Sequence, residues 1–238
     1  MSIAFRAIPD AERTALAERL ARTGRVQIPG FFDALTAQRF LDEARERTSF
    51  QTVTTNSKGH VDLPAAWIET LTAPQKAEFG KAVQESATTR FQYLYDNYPM
   101  WDLAQAGKLT GPWAELLDFL NGEDFLAFAR AFTGEERIAF ADGQVTRYRR
   151  GHFLTTHDDG IEEKNRYFAY VLNLTPAWRI DWGGLLMFHS PEGHVAEAFT
   201  PAFGALNLLR VPAPHSVSQV SLFARDDRIS VTGWLRGR

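Results

Sequence analysis

Cysteine is absent from the 238 residues. That one absence excludes disulfide scaffolds, thiolate zinc sites, iron–sulfur clusters and cysteine nucleophiles together. An excess of charge is missing too: the formal net charge is −3, which gives no global attraction to nucleic acid or to an anionic membrane surface. Neither is expected as a partner. No stretch approaches the roughly 18 consecutive apolar residues of a membrane span, and the opening "MSIAFRAIPDAERT" lacks the apolar run of a signal peptide. These absences lead to the expectation of a soluble, cytoplasmic protein. Repeats, low-complexity tracts and flexible linkers are lacking as well. What is there is a chain with 45% hydrophobic residues, the composition of an ordered globular protein.

The front half patterns mostly as helix. "PDAERTALAERLART" places Leu16, Ala17 and Leu20 at helical intervals, with Pro9 near the start and Gly24 after the end. "VQIPGFF" reads as a short strand, and "TAQRFLDEARER" as a second helix with Phe40, Leu41 and Ala44 on one side. Residues 50–64 carry β-branched residues around an Asn-Ser-Lys-Gly turn, the pattern of a hairpin. A long helix is expected from about Pro74 to Tyr95, then "GPWAELLDFLN" and "EDFLAFARAFTG", closed by Asn or Gly. After about residue 136 the pattern changes to seven or eight short strands separated by Gly, Pro, Asp and Ser turns, with no helix between them. Strands at such even spacing form an antiparallel sandwich or barrel. The expectation is an α+β single domain over 1–238, with a mainly helical support region at 1–135 packed outside a β-core at 136–238.

The stretch "FLTTHDDGIEEKNRYFAYVLNL" sets a histidine and two aspartates between apolar runs, where a buried carboxylate needs a partner or a metal. On a strand, positions i and i+2 face the same way, so His157 and Asp159 are expected to point into one cavity and Asp158 out of it. Candidates for a third ligand are His189, His194 and His215. His215 opens the strand "HSVSQVSLF", whereas His189 and His194 flank "SPEG", the chemistry of an exposed hairpin turn. Two histidines and one carboxylate on a rigid β-scaffold make the facial triad of non-haem Fe(II) oxygenases. His60-Val61-Asp62 has the same His-x-Asp form, but it sits ahead of helices and lacks the strand-rich continuation. His152 is expected on the outer face of its strand, and the "RYRR" cluster at 147–150 as a solvated face. In "DDRISVTGWLRGR", Arg228, Ser230, Thr232 and Trp234 share one face. That polar face reads either as an edge in water or as an interior anion site, where a guanidinium fork and a hydroxyl match a carboxylate.

The segments "YRRGHFLTTHDDG", "YVLNLTPAWRIDWGGLLMFH", "PHSVSQV" and "RISVTGW" together resemble the 2-oxoglutarate- and Fe(II)-dependent oxygenases of the prolyl hydroxylase superfamily, most of all the ribosomal prolyl hydroxylase-like group. The resemblance covers roughly residues 110–238. It implies a double-stranded β-helix (jelly-roll, cupin-like) core, with Fe(II), 2-oxoglutarate and O2 as cofactor and cosubstrates and ascorbate as an accessory reductant. It assigns His157, Asp159 and His215 to iron, Arg228 with Ser230 to the distal carboxylate of 2-oxoglutarate, and Tyr148 to a further contact with the cosubstrate. Arg225 stands at the family's usual interval after His215 and Arg228 one residue beyond it, so the two compete for the carboxylate. Position in the "RISVTGW" strand favours Arg228. The chain ends at Arg238, and the second, degenerate oxygenase domain of the eukaryotic ribosomal enzymes is not expected. The activity implied is hydroxylation of a prolyl residue in a protein or peptide partner, with conversion of 2-oxoglutarate to succinate and CO2. Hydroxylation of a free amino acid or other small molecule, and a non-catalytic cupin-like binding protein, are the alternatives. Oligomeric state is not legible in the sequence.

Overall fold

Three helix ends in the front half are set by capping chemistry. The computed structural model, which describes residues 3–46 and 48–238, has helices α1 (Asp10–Thr23), α2 (Ala34–Glu46), α3 (Ala65–Thr70), α4 (Ala73–Ala87), α5 (Met100–Gln105), α6 (Gly111–Leu120) and α7 (Glu123–Thr133). Thr72 and Gln75 form a reciprocal capping box at the start of α4, satisfying amides that the first turn leaves unpaired. Gly24 and Gly134 close α1 and α7 in the left-handed conformation, φ 71° and 69°, which costs glycine little.

Among these helices run β1 (Arg25–Ile28), β2 (Gln51–Asn56), β3 (Gly59–Pro64) and β4 (Tyr93–Tyr98). The long helix expected from Pro74 to Tyr95 therefore ends at Ala87, and its tail is a strand. "FQYLYDNY" is rich in aromatics, which suit a half-buried pleated surface better than a helix. It pairs with β2 on one side and with two C-terminal strands on the other, and that tertiary pairing overrides any helical continuation. The hairpin expected at 50–64 is β2–β3, and β2 pairs with β4.

The C-terminal part holds β5 (Phe140–Ala141), β6 (Gln144–Tyr148), β7 (Phe153–His157), β8 (Arg166–Asn173), β9 (Leu186–His189), β10 (Val195–Phe199), β11 (Leu206–Arg210), β12 (His215–Val217) and β13 (Arg228–Arg236). That is one strand more than the seven or eight expected; β5 has only two residues. All pairings are antiparallel and arrange the strands in two rows, β6-β13-β8-β11 and β7-β12-β9-β10. β4 bonds to both β6 and β7, joining the rows along one seam into a nearly closed jelly-roll-like barrel.

The first row buries both faces. Tyr170, Leu172, Leu206, Leu208 and Val231 pack outward into one apolar cluster with Phe40, Leu116, Leu120 and Phe125 of the helices. The alternate residues Ala169, Val171 and Leu209 point inward, towards Leu186, Phe188 and Val217 of the second row. A strand with two buried faces reads as a nearly continuous apolar run, which is why "RYFAYVLNL" shows no polar alternation. Gly233 of β13 lies where a Cβ would meet the Asp142 carbonyl oxygen at 2.1 Å and the Tyr170 ring at 2.8 Å, so the close backbone approach there requires glycine. Among the described residues no helix is long and apolar enough to cross a membrane.

A chain beginning at residue 136 would expose the outward apolar face that α6 and α7 cover. It is expected to aggregate; a soluble fragment with a cooperative thermal transition would show that the helices are a separable module.

Candidate active site

β7 and β12 pair so that His215 lies directly opposite His157. Their imidazole centroids are 4.2 Å apart. Each ring is oriented by the backbone two residues earlier. His157 Nδ1 donates to the Thr155 carbonyl at 3.0 Å, and His215 Nδ1 donates to the Ala213 carbonyl at 2.7 Å. That fixes the tautomer and frees both Nε2 lone pairs, the arrangement in which imidazole ligates metal. Asp159 completes the cluster: its Oδ1 lies 3.4 Å from His157 Nε2 and its Oδ2 3.6 Å from His215 Nε2. One ligand atom from each of the three residues can be chosen so that all lie within 4.8 Å of one another. Spacing and donor chemistry fit one divalent first-row ion with positions left open.

Asp159 reaches this position by a route the alternation rule does not give. β7 ends at His157, and Asp159 stands in the following turn with φ 62°. A left-handed turn, and not strand periodicity, brings the carboxylate back beside His157. Burial opposes ionisation of Asp159, but the flanking imidazoles hold its pKa below the ordinary aspartate value. Burial likewise opposes the His157 cation, yet Asp159 raises its pKa overall. For His215, burial and repulsion from His157 win, and its pKa falls.

The three residues reach a cavity of about 490 Å³ between the two strand rows. Arg228 lines the same cavity, 3% exposed, with its guanidinium 5.1 Å from the centroid of the Tyr148 ring. No carboxylate pairs with it among the described residues, and its Nε is buried without a hydrogen-bond partner. Burial accordingly pulls its pKa below the usual arginine range. Such a group fits an incoming carboxylate, which would supply the missing charge and acceptor. Ser230 is fully buried, its hydroxyl 3.0 Å from that of Thr146, a lining residue. Tyr148 stacks on Tyr95 at 5.1 Å, and burial raises the phenol pKa of both. Arg225 is exposed in the turn before β13 and lines a different cavity, with Asp226 and Asp227.

Several expectations are corrected. His152 is not on an outer face: it is 5% exposed, with Nδ1 unpartnered. "RYRR" is not merely a solvated face, since Arg147 and Arg149 close on the fully buried Asp96, at 2.7 and 2.9 Å. A buried carboxylate requires such partners, and Asp96 directly follows the end of the expected helix. His60 lies outside the His157–Asp159–His215 cluster, but it sits on the cavity rim, 2.5 Å from the Tyr93 hydroxyl. His194 is exposed, and His189 bonds Ser216 at 2.8 Å. Sequence reading missed Tyr93 and Tyr95; their period-2 spacing ahead of Pro99 was the available signal. It also passed over Arg166, which lines the cavity with its guanidinium 3.5 Å from the Trp234 ring centroid.

Residues 143–236 match the family model described as the 2OG-Fe(II) oxygenase superfamily. Prolyl 3-hydroxylase OGFOD1 of Mus musculus is 30% identical over 133 residues, which are 53% of this chain and 24% of that protein. The chain thus spans about a quarter of the length of this curated relative. A Pseudomonas putida prolyl-4-hydroxylase structure superimposes with a TM-score of 0.61 at 20% identity, covering 95% of this chain and 99% of the other. A Trichoplax adhaerens prolyl hydroxylase, in complex with a hypoxia-inducible-factor peptide fragment, superimposes with a TM-score of 0.63 at 15% identity, over 94% of this chain and 89% of the other. These likenesses establish the shared fold.

His152 generates a pH test. Burial is the main cause that lowers its pKa to about 4, so the folded chain holds it neutral while the unfolded chain takes up a proton near pH 6.5. Its contribution is fully present above pH 6.5 and falls away as the pH drops towards 4, by up to about 3 kcal/mol. Urea unfolding at several pH values should show wild-type stability falling more steeply over this window than that of His152→Gln. Parallel pH profiles would remove His152 from the acid response.

Proposed function

We propose, from the match of residues 143–236 to the 2OG-Fe(II) oxygenase superfamily model, that the chain is a 2-oxoglutarate- and Fe(II)-dependent dioxygenase that hydroxylates a prolyl residue of a protein partner. One observation carries the reading: a buried arginine without a carboxylate lines the same cavity as a His-Asp-His cluster with its Nε2 atoms free. The names of the relatives support the substrate half, since the mouse protein is a prolyl 3-hydroxylase and the Trichoplax enzyme was solved with a peptide.

His157, Asp159 and His215 would hold Fe(II) through two imidazole nitrogens and a carboxylate oxygen, leaving positions for the cosubstrates. Bound iron and 2-oxoglutarate supply the oxidation, in which one oxygen atom of O2 enters the substrate C–H bond and the other enters succinate as CO2 leaves. The chain's own work is orientation and exclusion. Arg228 would clamp the distal carboxylate of 2-oxoglutarate, with the Thr146–Ser230 hydroxyl pair beside it and Tyr148 packed against the guanidinium. Tyr95 stacks behind Tyr148 and backs that wall. The Thr155 and Ala213 carbonyls keep the Nδ1 protons in place, so neither imidazole can turn its protonated nitrogen to the metal.

Two measurements test the assignments. Asp159→Ala should lose Mn(II) binding, followed by isothermal titration, while keeping a wild-type circular dichroism spectrum; unchanged metal affinity would remove Asp159 from the ligand set. With Mn(II) bound and O2 excluded, Arg228→Ala leaves the cosubstrate's carboxylate without its charge partner. Losing one side of such a buried pair costs about 2–5 kcal/mol, so the affinity for 2-oxoglutarate should fall about thirty-fold or more. Arg225→Ala should change it little. The reverse ranking would transfer the carboxylate to Arg225.

A further inference from the structure

Three hollows meet at one side chain. Arg166, at the start of β8, lines the 490 Å³ interior cavity and also two open grooves that adjoin it. The first groove, about 550 Å³, passes His157 and Asp159 between Phe91 and Ile161. The second, about 300 Å³, runs over Trp234 towards Lys164, Arg236 and Trp101. A free amino acid would be held by the interior cavity alone and would leave both grooves empty. Phe91 and Ile161 are 47% and 41% exposed beside the metal cluster, large apolar groups standing where an extended chain would cross the mouth.

Arg166 is poorly satisfied for a half-buried cation. Its Nη1 donates to the Asp159 carbonyl at 3.2 Å, and its Nε is buried with no partner. Its guanidinium lies over the Trp234 indole, which holds the fork flat without neutralising it. It makes no ion pair with a carboxylate among the described residues. The nearby Asp142 is already engaged by Arg236 at 3.1 Å and by the Trp234 amide at 2.7 Å. Along this bank Lys164, Arg166 and Arg236 stand against Asp142 and the exposed Asp102, which leaves positive charge on the second groove. The first groove carries the exposed Asp158 instead.

We infer that the two grooves take an extended polypeptide segment whose reacting residue enters the cavity between them, and that a carboxylate side chain close to it in sequence is read by Arg166. The inference rests on the oxygenase reading above and adds the class of substrate: an acidic peptide segment, in place of a free amino acid or a basic segment. Arg166 is a specificity determinant here, because it meets the substrate beside the reacting residue and holds neither metal nor cosubstrate.

The test uses short acetylated, amidated prolyl peptides that place Glu, Gln or Lys at each of the two positions on either side of proline, together with free L-proline. Binding of fluorescently labelled peptides is read by anisotropy on the Mn(II)- and 2-oxoglutarate-loaded protein without O2. Hydroxylation is read by mass spectrometry on the Fe(II) form. At one of the four positions Glu should bind about ten-fold or more tighter than Gln, the worth of one charged hydrogen-bonded contact. Arg166→Ala should erase that preference, Arg166→Lys should restore part of it, and Arg166→Glu should turn it towards Lys. A purely structural role for Arg166 would not reverse the charge preference. Equal binding of the Glu and Gln peptides by the wild type, a preference that survives in Arg166→Ala, or hydroxylation of L-proline in preference to every peptide would overturn the inference. Charge-selective binding without any prolyl hydroxylation would uphold Arg166 as the reader and overturn the prolyl assignment instead.

Discussion

The antiparallel register that sets His215 against His157 is the constraint on which the site depends. β12 has only three residues, and it is held on both sides, by β7 through His157 and by β9 through Phe188. Because side chains alternate along a strand, a slip of one residue would turn His215 away from the cavity and bring Ser216 into its place. The two carbonyl-anchored imidazoles and the carboxylate between them follow from that pairing. A residue cluster at a strand pairing is stiffer than one built on loops, because shifting either histidine breaks ladder hydrogen bonds as well as side-chain ones.

The second physical theme is charge placed where apolar packing would be expected. Arg228 is buried among aromatic and aliphatic walls, a state that opposes its own ionisation. It is tolerable because β13 runs through the middle of the first row, paired on both sides from Ser230 to Thr232, so its backbone cannot yield to expel the side chain. Asp96 shows the opposite solution in the same fold: a fully buried carboxylate neutralised by two arginines and a threonine hydroxyl. Arg147 and Arg149 therefore tie β6 and the turn after it to β4, the strand that joins the two rows.

Much of the site was legible because its chemistry is carried by rare residue combinations in order: His-x-Asp, then a histidine opening a strand, then Arg-x-Ser on an alternating strand. The fold class was legible from even strand spacing after residue 136. What escaped was set by tertiary pairing. The period-2 spacing of Tyr93 and Tyr95 is the one local hint of the strand Tyr93–Tyr98, and its role in joining the rows is set by pairing alone. The helical pattern from Pro74 overlaps its first residues. His152 looked outward because it follows a glycine turn, yet the packing of α3, α4 and β4 against that turn encloses it. Asp159 was assigned to the right cavity by the wrong rule, since the strand had already ended.

The left-handed backbone at Asp159 has an evolutionary consequence. Aspartate is among the few side chains that tolerate this conformation, but glycine adopts it with less strain. Glycine there would also relieve a buried carboxylate of its desolvation. Selection for foldability alone would therefore drift towards glycine at 159, so an aspartate there carries a cost in stability. Homologues that keep the barrel without the proposed metal site should record this first at position 159, with both histidines still in their ladder.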